Sequence, residues 1–92
     1  MQISLENWPS LVDLELAFYE KQSYESLLSY MAENKIANTE SYFEEYKKVM
    51  ETYIRLCKKL ENEIIIPEVG DIEARWEVNF LEKFVTVREE TN

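Results

Sequence analysis

The chain has 92 residues, a formal net charge of −9, 46% hydrophobic residues and no histidine. This length predicts one small domain spanning residues 1–92, and the apolar content excludes a disordered chain. The lack of histidine, with one glycine and one cysteine, argues against acid–base catalysis, phosphate loops, zinc sites and internal disulfides, so we expect no enzyme, no cofactor and no metal.

The N-terminal part of the chain predicts a short lead-in followed by a helix. Residues 1–8 form the lead-in, and Trp8 can anchor it to the core. The helix is expected over about residues 9–34, with Ser10 and Asp13 as a capping box. Its two apolar stripes are slightly out of phase near Ser23, which could cap a second helix, but we favour one helix.

The connector over residues 34–38 is short, so it predicts an antiparallel helical hairpin. We expect Ile36 to pack beneath this turn. The second helix is expected over about residues 39–64, capped by Thr39 or by a box formed by Ser41 and Glu44. Its apolar residues are spaced alternately by three and four, which places them on one face: Phe43, Tyr46, Met50, Tyr53, Cys57, Leu60 and Ile64. The helix should end before Pro67.

The C-terminal part predicts a β-hairpin, because apolar and polar residues alternate over about residues 75–80 and 84–88. A register in which Phe80 pairs with Val85 and Val78 with Val87 sorts the side chains into an apolar and a polar face. The polar face would then pair Glu77 with Arg88 and Asn79 with Thr86.

The predicted fold class is therefore α+β, a long antiparallel helical hairpin followed by a C-terminal β-hairpin. An isolated two-stranded hairpin is only marginally stable in water. Its apolar face must pack on the helices, or its edge must pair with another chain, which provides a route to a homodimer.

A set of aromatic and charged residues is the candidate interaction surface. Tyr19, Tyr30 and Tyr42 lie off the main apolar stripes, and exposed aromatic side chains suit protein interfaces. The hairpin adds Trp76, Glu77 and Arg88. The lone thiol of Cys57 lies on the apolar face of the second helix, which indicates a buried side chain rather than a reactive one.

Charge narrows the choice of partner. Residues 1–20 contain four acids and no base, and residues 61–92 contain nine acids and three bases. This balance disfavours binding to nucleic acid and to anionic membranes, because both are negatively charged. Glu68, Asp71 and Glu73 match no calcium-loop spacing.

We expect a small acidic protein-interaction or accessory module with an unknown protein partner. One alternative is an inhibitor that mimics nucleic acid through the acidic ends. Another is a DNA-binding accessory protein that uses the bases of the second helix, although acids are interleaved with them: Lys47, Lys48, Arg55, Lys58 and Lys59.

The N-terminus lacks the basic segment and the apolar run of a signal peptide, and no segment has the length of a transmembrane helix. One cysteine fits a reducing compartment. These features predict a cytoplasmic protein.

The segment FYEKQSYESLLSYMAENKIANTESYFEEY, the helix ending in IIIP, and WEVNF followed by a second strand resemble small uncharacterised proteins encoded on mobile elements of Gram-positive bacteria. The resemblance covers about residues 18–87. It implies no catalytic residues. In such relatives the hairpin turn often carries glycine, whereas here the turn contains Leu81, Glu82 and Lys83.

Overall fold

The structure is a computed structural model that describes residues 1–70 and 74–89. In chain order the elements are β1 (Gln2–Ser4), α1 (Leu11–Glu33), α2 (Glu40–Leu60), a π-helical turn (Glu61–Ile65), α3 (Ile66–Val69), β2 (Ala74–Asn79) and β3 (Phe84–Glu89). The two long helices form a hairpin, and the strands form a small antiparallel sheet. The predicted α+β class is therefore confirmed.

Helix α1 is one continuous helix, as expected. The residue before it, Ser10, makes no side-chain capping bond, so the predicted box with Asp13 is wrong. The physical reason is the backbone at Ser10, where φ is −87° and ψ is 4°. An N-cap side chain reaches the helix N–H groups from an extended backbone, and Ser10 is not extended.

The connector ends α1 with two backbone bonds, from Lys35 N–H to the Ala32 carbonyl and from Ile36 N–H to the Met31 carbonyl. This is a Schellman motif, and Lys35 occupies its left-handed position at φ 52°. Ile36 does not pack beneath the turn as predicted, since it is 43% exposed.

The second helix begins at Glu40 with Thr39 in the capping position, although Thr39 makes no side-chain capping bond. Ser41 therefore lies inside the first turn, so the predicted capping box of Ser41 with Glu44 is wrong. A residue already in helical geometry cannot serve as the cap.

The end of this helix also differs from the prediction, because helical geometry continues through Pro67 to Val69. A proline normally clashes with the carbonyl four residues earlier. Here the π-helical turn Glu61–Ile65 precedes it, and the Ile66 N–H bonds to the carbonyl of Glu61, five residues back. This wider turn changes the spacing, so that Pro67 lies in the first turn of α3, where proline is tolerated.

The sheet has the order β1-β3-β2, so β3 is central. Strand β1 was not predicted, because residues 1–8 were expected to form only a lead-in. Its three residues pair with β3, with Ile3 opposite Val85. A strand this short carries too few alternations to be recognised without its partner. Trp8 does anchor the segment, since it is only 6% exposed.

The hairpin register differs from the predicted one by two residues. Val78 pairs with Val85 and Trp76 with Val87, while Glu77 lies opposite Thr86 rather than Arg88. A shift by two keeps each side chain on its predicted face.

The turn explains this register, because four residues join Asn79 to Phe84. Lys83 adopts φ 58°, and the Asn79 side-chain oxygen accepts a 2.9 Å bond from the Glu82 N–H. Asn79 and the left-handed Lys83 thus form a longer turn without glycine.

The core lies where the N-terminal segment, the sheet and the sheet-proximal halves of the helices meet. Its most buried side chains are Leu5, Leu14, Leu60 and Val85. Toward the helical connector the packing becomes thinner, and Phe43, on the predicted apolar face of α2, is 49% exposed. Within the described residues, no helix has the length and apolar character needed to cross a membrane.

Candidate functional site

Helix α1 carries an exposed apolar stripe in addition to its buried face. Val12 is 63% exposed, Leu16 is 56% exposed and Tyr19 is 50% exposed. Their spacing of four and then three residues places them on one side of the helix. The buried Leu11, Leu14 and Ala17 lie on the other side. α1 therefore presents more apolar surface than the core uses.

The stripe continues into the hairpin turn through Tyr19. The ring of Tyr19 lies 5.7 Å from that of Phe18 and 6.3 Å from that of Phe80, measured between centroids. A shallow cavity of about 450 Å³ has Tyr19, Phe80 and Leu81 among its lining residues, and Leu81 is 90% exposed. We call Val12, Leu16, Tyr19 and Leu81 the α1–turn surface.

Acidic side chains lie along both sides of the α1 stripe. From helical spacing, Asp13 and Glu20 flank it on one side and Glu15 on the other. In the turn, the exposed Glu82 follows Leu81, and the basic Lys83 comes next. The surface thus has an apolar centre and a mainly acidic border, which is the arrangement of a core and a rim at protein interfaces.

A second group of aromatic side chains lies where α1, α2 and the hairpin meet. The ring of Phe18 lies 5.4 Å from Phe80 and 6.3 Å from Tyr53. The ammonium group of Lys21 lies 5.4 Å from the centre of the Tyr53 ring and pairs with Glu25 at 2.7 Å. Phe18 and Phe80 are also the two rings that contact Tyr19, so this aromatic group packs against one residue of the α1–turn surface.

Burial raises the pKa values of two side chains in this region, Tyr53 and Cys57. It raises the pKa of the Tyr53 phenol to about 12, with further contributions from Cys57 and Glu25. It also raises the pKa of the Cys57 thiol, against a smaller opposing effect of Tyr53. Cys57 is half-buried. A raised pKa lowers the thiolate fraction, so this cysteine has the character of a packing residue rather than of a nucleophile.

We expect the free energy of unfolding to fall in alkaline solution because of Tyr53. Its pKa is about 12 in the folded chain against 10.0 for an ordinary tyrosine. The unfolded state therefore loses its proton first, and the stabilisation present below pH 10 is lost as pH rises toward 12. Urea titrations from about pH 8 to about pH 11 measure this slope. Tyr53→Phe should make this slope shallower, and an equal slope in the variant and in the unchanged protein would contradict the expectation.

The two tryptophans use acids of the π-helical turn as hydrogen-bond acceptors. The Trp76 indole N–H donates to Glu61 at 3.0 Å, and the Trp8 indole N–H donates to Glu63 at 3.4 Å. Both bonds are partly buried. These two carboxylates therefore bind the sheet and the N-terminal segment to the end of α2, and part of the C-terminal acidity has a structural role.

The structure divides the predicted interaction residues into three places. Tyr19 belongs to the α1–turn surface. Tyr30 and Tyr42 are exposed near the helical connector, at 59% and 41%. Trp76, Glu77 and Arg88 line a cavity of about 270 Å³ beside β2, together with Arg75 and Thr86. The six residues do not form one site.

The bases of α2 that suggested DNA binding have acidic neighbours. Lys47 pairs with Glu44 at 3.6 Å and Lys48 with Glu45 at 3.5 Å, all on exposed side chains. Within residues 1–70 and 74–89, no three acids, cysteines or histidines are grouped as metal ligands would be. Asp71 and Glu73 lie outside the described residues.

Sequence reasoning missed Val12, Leu16 and Leu81 as surface residues. The sequence did contain an indication for Val12 and Leu16. The apolar residues of α1 fall on both sides of the helix, whereas a surface helix that only packs on a core needs one apolar stripe. Leu81 gave a weaker signal, because a single apolar residue in a turn is common.

No protein-family model matches this chain. No curated protein and no solved structure matches it either. The resemblance to proteins of mobile elements therefore stays a prediction.

Proposed function

We propose that this protein is a non-enzymatic interaction module that binds a protein partner through the α1–turn surface. The observation that carries the proposal is the exposure of Val12, Leu16, Tyr19 and Leu81, each at 50% or more. Contiguous exposed apolar side chains with a polar border are typical of interaction sites. Burying them on a partner would remove their apolar area from water and stabilise the complex.

The charges around the surface favour a basic partner. Residues 1–20 carry four acids and no base, and the whole chain carries −9. A partner with an apolar centre flanked by Lys or Arg would complement the acidic border, and this complementarity mainly raises the association rate and the specificity. An amphipathic helix is the simplest such ligand, because it presents both features on one side.

This proposal has more support than the two alternatives. Mimicry of nucleic acid requires the acids to stand free on one face, yet Glu61 and Glu63 accept bonds from the tryptophans. DNA binding through α2 requires uncompensated bases, yet Lys47 and Lys48 have acidic neighbours. We also propose a cytoplasmic location, since a single half-buried thiol fits a reducing compartment.

Selection from a display library of helical peptides tests the proposal. We expect the enriched peptides to combine an apolar stripe with Lys or Arg, and to bind the α1–turn surface in chemical-shift mapping. Leu16→Asp should weaken binding by at least about tenfold, because it places a charge in the apolar centre.

The matched control is Ile54→Asp, which makes the same kind of change at a 45% exposed residue in the middle of α2. This variant should bind as the unchanged protein does. The proposal is rejected if the enriched peptides bind Leu16→Asp as tightly as they bind Ile54→Asp. Thermal melts of both variants verify that each is folded.

A further inference from the structure

The outer edge of β2 is a second surface, and none of its residues belongs to the α1–turn surface. It adjoins the cavity beside Tyr19 and Leu81, which Glu77, Val78 and Asn79 also line. In the order β1-β3-β2, β2 pairs with β3 on one side only. Within residues 1–70 and 74–89, no strand pairs with its other side. This edge therefore offers backbone N–H and carbonyl groups to another strand.

The side chains of β2 are also incompletely covered on the core side. Trp76 and Val78 are half-buried, whereas Val85 and Val87 in the neighbouring β3 are 0% and 3% exposed. A cavity of about 210 Å³ lies beside β2, between Trp76, Val78 and Phe80 of the hairpin and Phe18 and Tyr53 of the helices. The apolar layer therefore continues to the open edge.

The sequence of β2 is self-complementary in one antiparallel register, and we propose that a second copy of this chain pairs with it there. The twofold axis passes through Trp76. In this register Arg75 faces Glu77 of the partner subunit, and Glu77 faces the partner's Arg75. The two β2 strands then join the sheets into one of order β1-β3-β2-β2-β3-β1.

Other antiparallel registers are less favourable. A twofold axis between two antiparallel β2 strands places directly opposite residues on the same face of the joined sheet. Because side chains alternate between the two faces along a strand, the axis must pass through a residue and not between two residues. An axis at Arg75 would oppose two arginines, and an axis at Glu77 would oppose two glutamates, which destabilises a strand pair. With the axis at Val78, the paired segment of β2 would comprise only residues 77–79. With the axis at Trp76 it comprises residues 74–78 and is therefore longer.

The charges within one chain are compatible with the same register. Arg75 lies directly opposite Arg88 on the outer face of the sheet, in a chain whose net charge is −9. In the proposed dimer a carboxylate from the partner subunit's Glu77 lies beside Arg75, in the same row as Arg88. The guanidinium of Arg75 has five N–H donors, so it can donate to the carboxylate of the partner subunit's Glu77 and to other acceptors at the same time.

Sedimentation equilibrium with charge-reversal variants tests the register. The unchanged protein should associate to a dimer at concentrations up to about 1 mM, because an interface of one strand pair is small. Arg75→Glu or Glu77→Arg alone creates two like-charge contacts per dimer. Each should weaken dimerisation by at least about tenfold, and the double variant should restore it to within about threefold. Salt at about 0.15 M limits the long-range repulsion between the two acidic chains.

Two matched controls reverse charges away from this edge, Arg55→Glu on α2 and Glu82→Arg in the turn. Both should dimerise as the unchanged protein does. Amide hydrogen exchange gives a second readout that needs no substitution: with rising concentration, exchange should slow in β2 but not in β1. A monomer at every concentration, a double variant that does not recover, or slowed exchange in β1 instead of β2 would each overturn the proposal.

Discussion

Leu60→Ala should lower the free energy of unfolding by about 3 kcal/mol, the middle of the range for truncating a buried leucine. Leu60 is 0% exposed and belongs to the cluster that contains the N-terminal segment, both helices and the sheet. The change removes apolar contacts and leaves a cavity that the surrounding elements can close only in part. A domain of this size has a total stability of about 5 kcal/mol, so the variant should retain about 2 kcal/mol and unfold at a much lower urea concentration than the unchanged protein.

Urea denaturation followed by circular dichroism measures this effect. The matched control is Leu81→Ala, the same change at a leucine that is 90% exposed, and it should alter stability by less than about 0.5 kcal/mol. If the two variants unfold at the same urea concentration, Leu60 does not occupy the centre of the core.

Leu5→Ala should have a similar effect, about 3 kcal/mol, although the sequence gives little reason to expect it. Leu5 is 0% exposed, and its N–H donates a 2.8 Å bond to the Lys83 carbonyl in the hairpin turn. The backbone bond survives the substitution, so the loss arises from packing alone. A large effect would show that the N-terminal segment is part of the core.

The control for Leu5 is Leu16→Ala, in which a 56% exposed leucine of α1 is truncated. It should leave the midpoint of denaturation nearly unchanged, and alanine also favours helix. The same urea titration compares the pair. A Leu5 variant as stable as the Leu16 variant would mean that residues 1–5 contribute little to folding.

The two proposed surfaces can act together in one complex. A dimer joined through β2 would present two α1–turn surfaces, one from each chain. A partner with two basic amphipathic segments could then bind both, and its apparent affinity would exceed that of either segment alone where the linker spans the distance. Arg75→Glu should weaken this gain while leaving the affinity for a single peptide unchanged, because Arg75 does not line the cavity beside Tyr19 and Leu81.

Much of the fold followed from local patterns. The three-four spacing of α2 and the alternation around Val85 indicated a helix and a strand before any tertiary contact was known. The faces of the hairpin were also correct, since a shift by two residues preserves them. The turn length was not predictable in the same way, because Asn79 and the left-handed Lys83 together form a turn that neither residue would indicate alone.

The helix ends were less predictable because they depend on cooperating groups. Pro67 suggested that helical geometry stops before it, but the π-helical turn moved the proline into a tolerated position. Likewise, Ser10 has the right residue type for a cap but the wrong backbone geometry. Residue type alone does not determine a capping bond, since the backbone angles of the preceding segment decide whether the side chain can reach.

The sequence by itself determined the α+β class, the helical hairpin and the two faces of the β-hairpin, because these follow from periodicities that are local. Only the tertiary structure decided that β1 pairs with β3, that β2 is left at the edge, and that the stripe of α1 remains outside the core. These outcomes depend on contacts between residues far apart in the chain, such as Leu5 with Lys83 and Trp8 with Glu63. The surfaces that we propose for binding are the parts that this long-range packing leaves uncovered.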